Sequence, residues 1–183
     1  ATEIRSPSII LTIDEDDVAP TITWAASSSS IAENAGSSIT WTATLSTPTS
    51  YDVTVSIETS GSAIEGTDYG TISDITISSG DTTGTASFTP TDDTTYEGNE
   101  TGIIDIDTVS GGSATESGTQ SVTLTITENE STPTVTLTSS ASSIAENAGS
   151  SLTLTATLSV ATTANETVGI STSGTGTEGT DYG

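Results

Sequence analysis

The stretch SSIAENAGSS, Ser29–Ser38, returns letter for letter at Ser142–Ser151, 113 residues further along the chain. Around it, residues 20–70 align without gaps on residues 133–183, and 33 of the 51 aligned positions are identical. A fixed period of this kind indicates tandem copies of one structural unit. Each copy keeps one acid, Glu33 or Glu146, inside a run of small polar residues, and that acid needs a physical reason.

The apolar residues of the chain alternate with Thr and Ser, which is the pattern of a half-buried β-strand. The alternation is clearest at residues 39–45, 53–57, 75–77, 86–88 and 122–126, with glycine-rich breaks between the stretches. No window has a helical period. The sequence therefore predicts an all-β chain of antiparallel, immunoglobulin-like β-sandwich domains. Trp24 and Trp41 are predicted core residues, because Leu137 and Leu154 replace them in the second copy.

The repeat also divides the chain. Residues 10–23 align with residues 123–136 at the same offset of 113. We therefore predict that residues 1–19 are the last strand and linker of a preceding repeat, residues 20–132 one complete repeat, and residues 133–183 the first half of the next. A half repeat has too little apolar surface to form a core alone. The strands that complete it are expected from the same chain or, by strand donation, from another one.

Composition excludes several classes of function. The 183 residues contain 25 Asp and Glu but a single basic residue, Arg5, which gives a net charge of −24, and they contain no His, Cys or Met. The usual zinc sites, thiol nucleophiles and Ser-His-Asp triads are therefore impossible. Nucleic acid and anionic membranes, which require a basic surface, are not expected partners. No apolar run is long enough to insert into a membrane.

Acidic clusters stand at predicted strand ends, where alternate loops of a sandwich meet. They are GTDYG with Asp68, TDDTTYEGNE with Asp92, Asp93, Glu97 and Glu100, and TENE with Glu128, Asn129 and Glu130. Several carboxylates meeting without a cation would repel one another strongly. Ca²⁺ accepts 6–8 oxygen ligands in flexible geometry, whereas Mg²⁺ demands a tighter octahedron. The clusters therefore favour a calcium site.

The order of these motifs, IAENAG, then GTDY, then DDTTYEGNE, then a last strand ending in an acidic run, resembles the Calx-beta domain. The resemblance covers residues 20–132 and both partial repeats. It implies calcium ligation by Glu33, Asp68, Asp92, Asp93, Glu97, Glu100, Glu128, Asn129 and Glu130. It extends to Glu15, Asp16 and Asp17 in the preceding repeat and to Glu146 and Asp181 in the next.

Other interpretations remain open. The acids may form a solvated or salt-adapted surface, which is the expected role of Asp52, Glu58, Glu65, Asp74, Asp81, Asp105, Asp107 and Glu116. Asn99, Asn129 and Asn165 each begin a glycosylation triplet, which a Thr-rich chain also produces by chance. Paired carboxylates also occur in glycosidases. The chain lacks an aromatic platform for sugar, so we expect no enzyme.

The function expected from these features is structural. We expect a calcium-binding repeat of an extracellular or cell-surface stalk, filament or adhesin, made rigid by Ca²⁺ near the domain junctions, with neighbouring copies of the same repeat as partners. The alternative is a calcium sensor that regulates a partner or an attached domain.

Overall fold

The computed structural model describes residues 9–12 and 16–182. Within them the chain is all-β, as predicted, and contains no helix long and apolar enough to cross a membrane. The strands, numbered in chain order, are β1 (Thr21–Ala26), β2 (Ser30–Ala32), β3 (Ile39–Leu45), β4 (Val53–Gly61), β5 (Ile75–Ile77), β6 (Thr83–Phe88), β7 (Thr95–Tyr96), β8 (Glu100–Ser110), β9 (Thr115–Glu116), β10 (Ser121–Thr127), β11 (Val135–Ser139), β12 (Leu154–Leu158) and β13 (Ala161–Thr162).

Two sheets form the sandwich. One has the order β6-β3-β1-β9 and the other the order β2-β10-β8-β4-β5. Alternate side chains of the facing strands are buried between them, such as Trp41, Ala43 and Leu45 on β3. Trp24 and Trp41 stack at 5.6 Å between ring centroids and are 7% and 0% exposed, in agreement with their prediction as core residues. The period-two pattern therefore reports the buried face of this sandwich correctly.

The sandwich is not antiparallel throughout. The edge strand β2 runs parallel to β10, with Ala32 opposite Thr127, and β9 runs parallel to β1. The chain passes from β1 in one sheet to β2 in the other through only three residues, 27–29, so β2 continues in the direction of β1 and joins β10. A three-residue strand has no alternation long enough to reveal its pairing, and for this reason the sequence predicted antiparallel sheets alone.

The second copy repeats the local structure of the first. β11 and β12 form the same hairpin as β1 and β3, with Thr136 opposite Thr157 as Thr23 is opposite Thr44. The Thr134 amide donates to the Ser159 hydroxyl at 2.9 Å, and 113 residues earlier the Thr21 amide donates to the Ser46 hydroxyl at 3.0 Å. The same sequence therefore forms the same hairpin twice.

The two copies differ in burial. The core side chains of the described residues all lie between Ile22 and Ile126. In the second copy Leu137 and Leu154 remain 50% and 46% exposed. The strands that cover this face in the first copy include β8 and β10, and the 183 residues contain no second copy of either. The division into units at residues 1–19, 20–132 and 133–183 stays a prediction.

Candidate metal centre

One end of the sandwich collects the acids, and we call it the acidic pole: Glu33, Asp68, Glu97, Glu100, Glu128 and Glu130. The strand directions bring them together. Because β2 and β10 are parallel, the residues that follow them, Glu33 and Glu128, leave the sheet side by side. β8 is antiparallel to β10 and starts opposite its end, with Glu100 across from Ile126. The loop that carries Asp68 follows β4, whose last residue pairs near the start of β8.

The first group of acids is Glu33, Glu128 and Glu130. One carboxylate oxygen from each lies within 4.8 Å of the others. Glu33 is only 8% exposed, and its Oε1 accepts a hydrogen bond of 3.1 Å from the Asp93 amide. Glu130 Oε2 is buried and has no hydrogen-bond partner among the described residues. A buried carboxylate oxygen without a donor is costly, so this group is electrostatically incomplete.

The second group is Asp68, Glu97 and Glu100, again with one oxygen from each within 4.8 Å. Asp68 is 8% exposed, and its Oδ2 accepts a hydrogen bond of 2.6 Å from the Ile64 amide. The next residue, Tyr69, is buried and stacks on Phe88 at 4.7 Å between centroids. The aromatic pair anchors the loop, and the loop turns Asp68 toward the acidic pole.

Burial and mutual repulsion disturb ionisation at the acidic pole. Burial, with the charges of Glu128 and Glu130 adding to it, raises the pKa of Glu33 to about 7. Burial followed by the charge of Asp68 raises the pKa of Glu100 to about 7 and also raises the pKa of Glu97. No basic side chain compensates, because the single basic residue of the chain, Arg5, lies outside the described residues. The pole therefore holds protons at neutral pH where a cation could replace them.

Glu128 behaves in the opposite way. Burial opposes its ionisation, but backbone amides outweigh burial and lower its pKa to about 2. One oxygen, Oε2, accepts from Glu97 N at 2.6 Å and Gly98 N at 2.8 Å. The other, Oε1, accepts from Asn129 N at 2.9 Å and Glu130 N at 3.0 Å. A carboxylate offers about four acceptor positions. Glu128 is therefore a permanent anion that holds two loops together, a role that its place in an acidic run did not reveal.

Three predicted ligands lie beside the two groups. Asp92 and Asp93 are exposed at the rim, where Asp93 accepts from Thr95 N at 2.6 Å within its own turn. Asn129 is exposed, and its Nδ2 donates to Glu130 Oε1 at 2.9 Å. The structure thus brings six of the predicted ligands into two compact groups and leaves these three around them.

The predicted ligands of the neighbouring repeats are not grouped. Asp16 and Asp17 are exposed and precede β1, whereas Glu15 lies outside the described residues. In the second copy Glu146 and Asp181 are exposed, and neither belongs to a three-acid group of the described residues. Asp181 Oδ2 nevertheless accepts from the Thr177 amide at 2.7 Å, the same turn that Asp68 makes with Ile64. The local turn therefore forms in the second copy.

Acids assigned to the solvated surface include three with structural bonds. Asp74 accepts from Ser56 Oγ at 3.0 Å and Ile57 N at 3.1 Å, where the pairing of β4 with β8 shifts register. Asp52 accepts from Ser79 N at 2.8 Å, and Glu116 accepts from the Gln120 amide. Single Asp residues beside strands are a weak signal of such capping.

The donor set fits Ca²⁺. Two ligands of one Ca²⁺ bind at about 2.3–2.6 Å from the ion, so their oxygens lie at most about 5 Å apart. The oxygens of both groups satisfy that limit, and all donors are carboxylates, the ligands that hard cations prefer. The unpartnered Oε2 of Glu130 would gain a cationic partner. The described residues thus contain two acidic groups that could each hold a metal ion.

Comparison with known proteins agrees on the fold. No family model and no curated protein matches the chain. Among solved structures, CBD12 from CALX1.2 aligns with a TM-score of 0.51 and 21% identity over 60% of this chain. The aligned part spans 44% of that protein, less than half of its length.

Two further structures are similar. The apo-form Calx CBD1 domain has a TM-score of 0.49 and 21% identity over 60% of this chain and 98% of that one. A two-domain protein of unknown function from Bacteroides fragilis has a TM-score of 0.41 and 8% identity over 67% of this chain and 55% of its own. With the CALX1.2 match, the chain has a Calx-beta-like β-sandwich fold.

Proposed function

We propose that residues 20–132 form a calcium-binding module whose ions sit at the acidic pole. The observation that carries the proposal is the pair of three-acid groups, each with oxygens within 4.8 Å, in a chain that offers no basic residue beside them. Glu33 and Glu130 would hold one ion, with Glu128 adding charge. Asp68, Glu97 and Glu100 would hold the other. Bound ions supply positive charge that relieves the repulsion and holds four loops together.

The choice of Ca²⁺ over Mg²⁺ follows from the ligands. Mg²⁺ requires near-ideal octahedral geometry and usually keeps several waters, whereas Ca²⁺ accepts a crowded and irregular set of carboxylates. The acidic pole is crowded, because each group influences the other: the charge of Glu33 raises the pKa of Glu100. Calcium is therefore the expected ion.

We further propose that the module is a structural repeat of an extracellular or cell-surface stalk, filament or adhesin, without enzymatic activity. The 113-residue repeat and the Ser- and Thr-rich, lysine-free composition suit a spacer built by duplication. Free Ca²⁺ is abundant outside cells, and extracellular modules bind it with Kd of about 10⁻⁴–10⁻³ M. Neighbouring copies of the same repeat would be its partners.

A calcium sensor is the second candidate, and one observation favours it. β13 of the second copy pairs with β7, which lies between the acidic-pole residues Asp93 and Glu97. An ion that rearranged this loop would act directly on the attached unit. A sensor requires that contact to change with calcium, whereas a stalk requires it to persist.

The direct test is calcium binding to the whole chain by calorimetry, with melting followed in millimolar Ca²⁺ and in excess EDTA. Calcium at about 100 times its Kd adds roughly 2.7 kcal/mol to the free energy of unfolding, or several degrees in Tm. A matched titration with Mg²⁺ should give a smaller rise. Equal Tm values in Ca²⁺ and EDTA, together with no binding heat, would falsify the calcium assignment.

A further inference from the structure

The second copy touches the first at one defined place. Strand β13, Ala161–Thr162, runs parallel to β7, with Ala161 opposite Thr95 and Thr162 opposite Tyr96. β13 belongs to the loop that follows the first hairpin of the second copy. One repeat thus presents its hairpin loop to the acidic pole of the repeat before it.

The complete repeat contains the same loop. Pro48 and Thr49 precede Ala161 and Thr162 by 113 positions, and the threonine is identical. Its hydroxyl bonds the backbone two residues onward in both copies: Thr49 Oγ1 donates to the Tyr51 carbonyl, and Thr162 Oγ1 accepts from Ala164 N at 3.2 Å. The two loops therefore have the same position in the repeat and a similar local support.

In the complete repeat this loop borders an open groove of about 740 Å³. Its walls are the linker residues 17–20, the loop residues 47–51, and the turn at Gly112 and Ser113. Tyr51 is 70% exposed there. The groove lies at the end of the sandwich where β3 and β8 finish, opposite the acidic pole.

The groove is rigid before any partner arrives. Gly80 N donates to the Thr49 carbonyl at 2.8 Å, which ties the loop to the turn between β5 and β6. On the other side Gly112 lies so close to Thr49 that a Cβ on it would meet the threonine side chain at 2.8 Å. A loop held on two sides loses little conformational entropy when a partner binds.

We propose that this groove docks the preceding repeat, through that repeat's counterpart of Thr95–Tyr96. The inference rests on the tandem array of the proposed function, but not on calcium. It transfers the contact that β13 makes with β7 by one period toward the N-terminus. Pro48 has no N–H, so the strand contact there uses the Thr49 amide and the loop carbonyls. Such a head-to-tail contact does not close on itself and generates a filament.

Disulfide trapping tests the proposal, because the chain contains no cysteine. A second copy of residues 20–132 is inserted between Ala19 and Pro20 of the whole chain. Thr95→Cys is placed in the inserted copy and Pro48→Cys in the original copy that follows it. Opposed residues of paired strands lie about 4.8 Å apart, within the Cα range of about 4.4–6.8 Å that a disulfide accepts.

Two reference pairs calibrate the result. Thr95→Cys with Ala161→Cys in the natural chain traps the contact seen in the structure. Thr95→Cys in the inserted copy with Thr85→Cys in the original copy is the negative control, because Thr85 lies exposed in the middle of β6. Fluorescence of the buried Trp24 and Trp41 reports folding. If Pro48→Cys disturbs it, Tyr96→Cys with Thr49→Cys replaces the pair at the next register.

The proposal expects the Thr95/Pro48 pair to oxidise as completely as the Thr95/Ala161 pair while the Thr95/Thr85 pair stays reduced, in both Ca²⁺ and EDTA. A docking pair that stays reduced while the natural pair oxidises overturns it, as does equal oxidation of the negative control or failure of the natural pair itself. Oxidation of the docking pair in a protein that binds no calcium supports the groove and rejects the calcium assignment, so the two outcomes are distinguishable.

Discussion

The amide of Glu33 donates to the carbonyl of Thr127 at 3.0 Å. This bond continues the parallel pairing of β2 with β10 by one residue, and it sets Glu33 beside Glu128 although 95 positions separate them in the sequence. The IAENAG motif therefore explains its own acid: the short edge strand delivers Glu33 to the acidic pole. The two neighbours then differ in ionisation, since burial raises the pKa of Glu33 to about 7 and amide donors lower that of Glu128 to about 2.

Glu33→Gln should reduce calcium binding without damaging the fold. Glutamine keeps an oxygen that can accept the Asp93 amide, but it removes one negative charge from the first group. We expect calcium affinity to fall about tenfold, which corresponds to about 1.4 kcal/mol. At pH 8 without metal, the variant should be more stable than the natural chain by about 1–2 kcal/mol, because a carboxylate that resists ionisation has been removed. Calorimetry and urea unfolding measure the two effects. A variant with unchanged affinity would place Glu33 outside the ion site.

Glu128→Gln should have the opposite signature. The glutamine NH₂ cannot accept hydrogen bonds, so amides that now meet at the carboxylate lose their partner. An unsatisfied buried donor costs about 1–3 kcal/mol, and the loss should appear in Ca²⁺ and in EDTA alike. Urea unfolding followed by tryptophan fluorescence gives the value. If the variant is as stable as the natural chain in EDTA, Glu128 acts only as a ligand.

Asp92→Asn with Asp93→Asn tests the rim. Both residues are predicted ligands, yet the structure leaves them exposed beside the two groups, so a smaller loss of calcium affinity than for Glu33→Gln is expected. Asp105→Asn with Asp107→Asn is the matched control, because these acids lie on β8 away from the pole. Equal losses in the two double variants would mean that calcium binds as a diffuse counter-ion.

The sequence predicts much of this molecule because its information is periodic. Alternation along β3 and β4 identifies the buried face, and the repeated motifs select six acids that do meet at one end. The parallel direction of β2 could not be predicted from three residues, since pairing direction depends on contacts with the distant β10. The roles of Glu128 and Asp74 could not be predicted either, because a carboxylate in a sequence gives no sign of how many amides will point at it.

The pH dependence of the metal-free protein provides a further test. Glu33 and Glu100 have a pKa of about 7 in the folded chain, against 4.5 for an unperturbed glutamate. Between these values the folded state binds more protons than the unfolded state, so the free energy of unfolding falls as pH rises. Their contribution is fully present below pH 4.5 and is lost as pH rises through 7. Glu128 contributes above pH 4.5 and loses its contribution only as pH falls through about 2, so it does not affect this window.

We therefore expect the Tm in EDTA to decrease steadily between about pH 5 and pH 8, and the Tm in millimolar Ca²⁺ to stay nearly constant, because the ion takes the place of the protons. Glu33→Gln with Glu100→Gln is the control, since a chain without these two carboxyls has lost the groups that titrate. Its Tm in EDTA should be nearly flat over the same range and should exceed that of the natural chain at pH 8. A decline as steep as that of the natural chain would show that the titrating groups lie elsewhere and that the acidic pole does not hold the protons that calcium is proposed to replace.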